Sequence, residues 1–212
     1  MFAVKMRLVL ALFALVLVSG SYSPGSFGQT KAEFLEAIEA GNELVKKNPD
    51  DFSGYASRGC GYEYLKRYDL AERDFLKAIS LSPSTSEIYI HLAAIYNRTK
   101  QYEKAASASR KAVELGSHSE AALNALLVNL CLSKKFGECL TKCDEVIRQF
   151  PGDGIAYYLR AICKSELGGA SNDAVLSDLA KATALRPKDL TIRSDFESVK
   201  AGRGIRLKMD HL

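Results

Sequence analysis

Glu87 and His91 stand four positions apart. On a helix that spacing puts both on one face, the arrangement that metal and acid–base sites use. The other histidines, His118 and His211, are not close to it in sequence, and no nucleophile motif accompanies the pair. A solvated pair on a binding face is therefore the better reading, and no catalytic residue is assigned. Gly152, Gly154, Gly168 and Gly169 form no phosphate-cradling loop; they read as helix stops and turns. Five cysteines complete the reactive set. Cys139 and Cys143 are separated by three residues, not the two of redox and zinc motifs, and a disulfide between them would strain a regular helix. They read as small apolar core residues. No metal or cofactor is expected.

What positions these residues is a repeat. Phe34, Tyr68, Tyr102 and Phe136 are spaced by 34. Ala37, Ala71, Ala105 and Cys139 keep the same register, as do Leu44, Ala78, Ala112 and Val146. Pro49, Pro83 and Pro151 close three of the units, with Ser117 at that place in the other. Within a unit, Ala71, Phe75 and Ala78 follow i, i+4, i+7, one face of a helix. Tyr55, Gly59 and Tyr62 have the same spacing, and so do Tyr89, Ala93 and Tyr96. Each unit is thus two helices, each with one apolar stripe. Residues 65–67 turn between them, and Pro83 ends the second helix because proline cannot continue the ladder. Small residues at Gly59, Ala71 and Ala78 let two backbones approach, while Tyr62 and Phe75 fill the space beside them. One pair cannot bury both stripes; stacked pairs can.

This helix–turn–helix pattern resembles the tetratricopeptide repeat. Residues 52–85 match that family at Tyr55, Gly59, Tyr62, Tyr68, Ala71, Phe75, Ala78 and Pro83. Residues 86–119 match at Tyr89, Ala93, Tyr96, Tyr102, Ala105 and Ala112, with Ser109 and Ser117 where the family favours Phe and Pro. Residues 120–153 are degenerate, and Leu127 and Val146 imply a looser or shifted pair there. A fourth unit spans 154–188, with an inter-helix turn about two residues longer. Residues 31–49 read as an N-terminal cap helix and 189–201 as a closing helix, so the predicted domain runs over 31–201, followed by a basic tail at 202–212. The implied fold is all-α, a right-handed superhelical solenoid of antiparallel helix pairs.

In that family the first helices of successive units line a concave groove. Carried over by position, the groove here includes Ala56, Cys60, Tyr64, Glu87, Ile90, Ala94, Asn97, Asn124, Val128, Leu132, Tyr158 and Ile162. The subfamily that grips acidic chaperone C-termini places Lys, Arg and Asn at set positions; here they hold Ala56, Cys60, His91, Ala121 and Ala125, so the carboxylate clamp is absent. The resemblance implies a non-catalytic module that binds another protein, as an apolar extended peptide or an amphipathic helix. A scaffold or adaptor is the first reading, and a chaperone-like holder of unfolded or apolar clients the second. No small-molecule substrate is expected.

The formal charge is +4; without Lys5 and Arg7 it is about +2, too little for strong phosphate steering, which argues against nucleic acid. Those two cations precede an apolar run, 8–18, and then small and turn-forming residues. That order predicts a secretory signal peptide over 1–20 and a flexible spacer over 21–30, and therefore an exported, periplasmic or secreted protein. The alternative is a membrane anchor through 8–18. Export sits awkwardly with an odd cysteine count. Either the thiols are buried, or one pair forms, with Cys131 and Cys163 the pair to check, or the export reading fails.

Overall fold

The computed structural model describes residues 31–168 and 171–205. The predicted signal peptide and spacer, part of the longer turn and most of the basic tail lie outside the described residues. Among those described there are ten helices and no strand. They are α1 (Lys31–Lys47), α2 (Phe52–Tyr64), α3 (Tyr68–Leu81), α4 (Ser86–Arg98) and α5 (Tyr102–Glu114), then α6 (Glu120–Leu132), α7 (Phe136–Gln149), α8 (Gly154–Leu167), α9 (Asn172–Leu185) and α10 (Leu190–Lys200). The chain divides into two compact units, one ending at Ser117 and the other beginning at His118. The all-helical class is the one the 34-residue period predicts.

Helix starts are of two kinds: side-chain caps, among them Ser171 at α9, and uncapped starts, among them α4. The Asp51 side chain accepts from the Ser53 N–H at the start of α2, Ser119 from Ala122 at α6, and Asp153 from Ile155 and Ala156 at α8. Asp189 caps α10 in the same way. Each satisfies backbone donors that the first turn leaves open. The second helices α3, α5 and α7 have no side-chain cap. They emerge directly from a tight turn whose left-handed residue is Lys66, Lys100 or Lys134, at φ of 57°, 60° and 58°. In each turn that lysine's N–H and the next one bond back to the ending helix, Lys66 to Glu63 O and Arg67 to Tyr62 O in the first case, which is the Schellman pairing. Gly168 takes the left-handed place in the fourth turn, at φ 70°.

The first unit is held by close approach. A Cβ on Gly59 would lie 2.8 Å from Phe75 Cε1, so the missing side chain is what admits the fully buried Phe75 ring. α1 meets α2 the same way. A Cβ on Gly41 would lie 2.8 Å from Gly54 O, and one on Gly61 2.6 Å from Ile38 Cγ1. Around Phe75 the core gathers Ala56, Ala71, Ala78, Ile88, Leu92, Ile95 and Tyr96.

The second unit repeats the first at a longer interval. α8 begins 102 positions after α2, and α9 and α10 begin 104 after α3 and α4, the difference being the longer turn. The correspondence extends to an ionic clamp. Arg58 Nε and Nη2 donate to both oxygens of Asp74, at 2.7 and 2.9 Å, while Nη1 donates to Asn42 Oδ1 and the guanidinium lies over the Tyr55 ring. Arg160 does the same with Asp178, Asp144 and the Tyr157 ring. Asp74 and Asp178 are buried, where a carboxylate persists only if paired and fully hydrogen-bonded. The hydrogen bonds to Asp74, then its charge, raise the Arg58 pKa against the cost of burial; Asp178 and Asp144 do so for Arg160. Each clamp ties a first helix to the second helices on either side.

Two substitutions separate filling from space. Phe75→Ala should cost about 3–5 kcal/mol by emptying the core, and Gly59→Val about 1–3 kcal/mol by overfilling it. Urea denaturation followed by circular dichroism reads both.

Candidate interaction face

α4 carries two apolar sides. Ile88, Leu92, Ile95 and Tyr96 are buried in the core, with the Tyr96 hydroxyl donating to Glu72 Oε1 at 2.9 Å. Burial, then Glu72, push the Tyr96 pKa up to about 12. On the other side Glu87, Ile90, Ala94 and Asn97 stay half-buried. These four predicted residues thus share a partly open helix face. From α2, Cys60 is half-buried beside them in kind. Tyr64 is half-buried too, but its ring stacks on Phe34 of α1 with centroids 3.4 Å apart and 12° between planes, so one of its faces is taken.

Four of the expected groove residues are core instead. Ala56 is fully buried and packs in the Phe75 cluster. In the second unit Leu132, Tyr158 and Ile162 are buried. The Tyr158 hydroxyl donates to Asp195 Oδ2 at 2.7 Å; burial first, then that bond, raise its pKa, so it is not an available polar handle. The reason on α6 is composition. Its sequence EAALNALLVNLCL is apolar nearly all round, and eight of its thirteen residues are buried, so position in the repeat does not settle which side is open. Asn124 and Val128 remain half-buried there. Asn124 Oδ1 is buried with no hydrogen-bond partner, an acceptor with capacity to spare.

The carboxylate partner of His91 is not the one its own helix suggests. His91 Nδ1 lies 2.8 Å from Glu63 Oε2 on α2, and Nε2 lies 3.8 Å from Cys60 Sγ. The ring stacks on Phe75 at 5.2 Å. The side chains of His91 and Glu63 keep 13% and 17% exposure, so the cluster opens at the surface. Burial disfavours the charged ring, but the sulfur of Cys60 and the carboxylate of Glu63 outweigh it and hold the His91 pKa well above the usual imidazole range. Cys60 and Glu63 at i, i+3 were the available signal, since a stacked pair brings the next first helix alongside.

All five cysteines are free thiols, and Cys131, Cys139, Cys143 and Cys163 are buried in the second unit. Cys139 Sγ lies 4.0 Å from Cys143 Sγ and donates to Leu127 O. Hydrogen-bond contacts with Cys139 and Cys163 lower the Cys131 pKa, and the contacts with Cys131 raise theirs. Cys131 and Cys163 are therefore neighbours, and no disulfide joins them. Among the described residues no three His, Cys, Asp or Glu side chains are placed to hold a metal ion, and no helix is long and apolar enough to cross a membrane.

A tetratricopeptide-repeat family profile matches residues 52–85 and 86–115. A tetratricopeptide repeat and J domain-containing co-chaperone of Fusarium oxysporum is 26% identical over 167 residues, 76% of this chain and 32% of the relative. Hsp70-Hsp90 organizing protein 3 of Arabidopsis thaliana is 33% identical over 81 residues, 38% of this chain and 14% of the relative. The chain thus spans a third or less of these curated relatives. Among solved structures, YrrB, described as a tetratricopeptide-repeat protein with an unusual peptide-binding site, superposes with a TM-score of 0.65 at 19% identity over 81% of this chain and 88% of that one. A MamA structure gives 0.65 at 20% identity over 79% and 97%. These likenesses give the fold, a tetratricopeptide-type array of helix pairs.

The raised His91 pKa has a consequence for stability. A group whose folded pKa lies above its unfolded value stabilises fully below the unfolded value, about 6.5 for histidine, and loses that contribution as pH rises through the folded value. Urea unfolding of the native chain should therefore show stability declining above about pH 6.5, and His91→Gln should flatten that decline.

Proposed function

We propose that this chain, which carries tetratricopeptide repeats at residues 52–85 and 86–115, is a protein-interaction module that takes an apolar peptide or one side of an amphipathic helix on the open faces of its first helices. The observation that carries this reading is the second apolar side of α4. Its core side is satisfied by Ile88, Leu92 and Ile95, yet Ile90 and Ala94 remain partly open between Glu87 and Asn97. An apolar strip with polar ends suits a segment that buries its own apolar side chains and bonds at the margins. In the second unit Val128 offers the apolar contact on α6. Ala56, Leu132, Tyr158 and Ile162 support these faces from beneath and do not touch the partner.

A scaffold or adaptor, holding one or two partners at fixed ratio, is the principal reading. The second is a holder of unfolded clients, favoured by the named co-chaperone among the relatives. No catalytic activity is part of either. Export rests on the order of cations, apolar run and small residues in 1–20.

Cross-linking with mass spectrometry in the source cell, comparing the native chain with Ile90→Glu and, separately, Val128→Glu at equal helicity, is the test. Loss of one defined partner supports the adaptor; weakened capture of many supports the holder. An unchanged partner set places binding elsewhere. N-terminal sequencing of the recovered protein should begin near residue 21; a chain beginning at Met1 removes the cleaved-signal reading.

A further inference from the structure

Three reactive groups meet in the first unit, and the binding reading uses none of their chemistry. Cys60 Sγ lies 3.8 Å from His91 Nε2, and His91 Nδ1 lies 2.8 Å from Glu63 Oε2. This is a relation that activates thiols: a sulfur within reach of an imidazole whose other nitrogen is fixed by a carboxylate. The ring's plane is fixed as well, because it stacks on Phe75, and Phe75 is wedged against Gly59. Cys60 is the one cysteine of the five that is not buried.

The fold does not require this cluster. At the corresponding places of the second unit, 102 positions on for α8 and 104 for α10, stand Ile162, Ser165 and Asp195. There Ile162 is buried and Asp195 accepts the Tyr158 hydroxyl. The same helix pair is thus built with no thiol, imidazole or carboxylate triad, so packing alone does not explain Cys60, His91 and Glu63.

We propose that Cys60, paired with the His91 ring that Glu63 positions, is a nucleophilic thiol that reacts with disulfides and carries a mixed disulfide on the first-helix face. The Cys60 thiol gives its proton to water, the charged His91 ring donates its Nε2–H to the sulfur, and the sulfur electron pair attacks one sulfur of R–S–S–R′. The S–S bond breaks as Cys60–S–S–R forms. The leaving R′–S⁻ takes that proton from water and departs as R′–SH, so Cys60 is oxidised and the departing thiol reduced. The placement favours a disulfide over a smaller oxidant. Cys60 is half-buried at the edge of the Phe75 cluster rather than enclosed in it, so a bulky R group, including a peptide, can remain attached after exchange. His91's raised pKa accords with a charged ring that donates to two acceptors, Cys60 and Glu63; Phe75 from α3 covers the remaining face, and Glu87 lies one turn earlier on α4.

The test uses the folded full-length chain and oxidised glutathione at neutral pH, with the adduct located and timed by peptide mass spectrometry. The native chain should gain one adduct, on Cys60, faster than the same cysteine reacts in urea. The rate should fall about tenfold in His91→Gln, as the charged hydrogen-bond donor beside the attacking sulfur is lost, and should fall in Glu63→Gln too. Cys60→Ser should gain none. If His91→Gln loses helicity, Glu63→Gln and the native-against-urea ratio decide. A native Cys60 that reacts no faster than in urea, or at an unchanged rate in the folded variants, overturns the proposal. So does glutathionylation elsewhere with Cys60 free.

Discussion

The arrangement rests on how closely two helix backbones can approach. Gly59 leaves no room for even a methyl beside Phe75, and Phe75 is the largest fully buried side chain of the first unit. Packing at interior density makes such a contact all-or-none: a ring either seats against a bare backbone or displaces a helix. With Phe75 seated, α3 fits between α2 and α4, His91 is fixed from below, and the other side of α4 is left with Ile90 and Ala94 half-open. A core contact thereby determines a surface.

The ionic clamps do a different job. Aromatic and small residues set distance, but a smooth apolar interface leaves helices free to slide. Arg58 reaches Asn42 on one side and both oxygens of Asp74 on the other, and Arg160 repeats this with Asp144 and Asp178. Bidentate geometry is directional, and removing one partner strands a buried charge at a cost of about 3–5 kcal/mol. Such a clamp contributes register more than net stability. Its recurrence at corresponding places in both units, with the tyrosine beneath the guanidinium kept, argues that register is what the pairs need.

The 34-residue period was enough to place the helix pairs, the close approach at Gly59, Ala71 and Ala78, and the turns, because those depend on local spacing. Three things were not readable. The Arg58–Asp74 clamp joins charged residues 16 apart, which look like ordinary solvated positions in a sequence. The carboxylate of His91 comes from the preceding first helix rather than from Glu87, a contact that the repeat register alone does not specify. And Tyr158, Leu132 and Ile162 occupy family groove positions yet are buried, since α6 is apolar nearly all round and Tyr158 finds Asp195, 37 residues on, to satisfy its hydroxyl. Position within a repeat predicts a face only when the helix has a polar side to mark it.

The most direct measurement is site-specific photo-cross-linking in the source cell. A photoreactive residue is placed at Ile90, on the open side of α4, and separately at Leu76, an α3 side chain that is 47% exposed. Binding on the first-helix face predicts cross-links to another polypeptide from position 90 and none from position 76. Cross-links from 76 alone, with 90 silent, would contradict it.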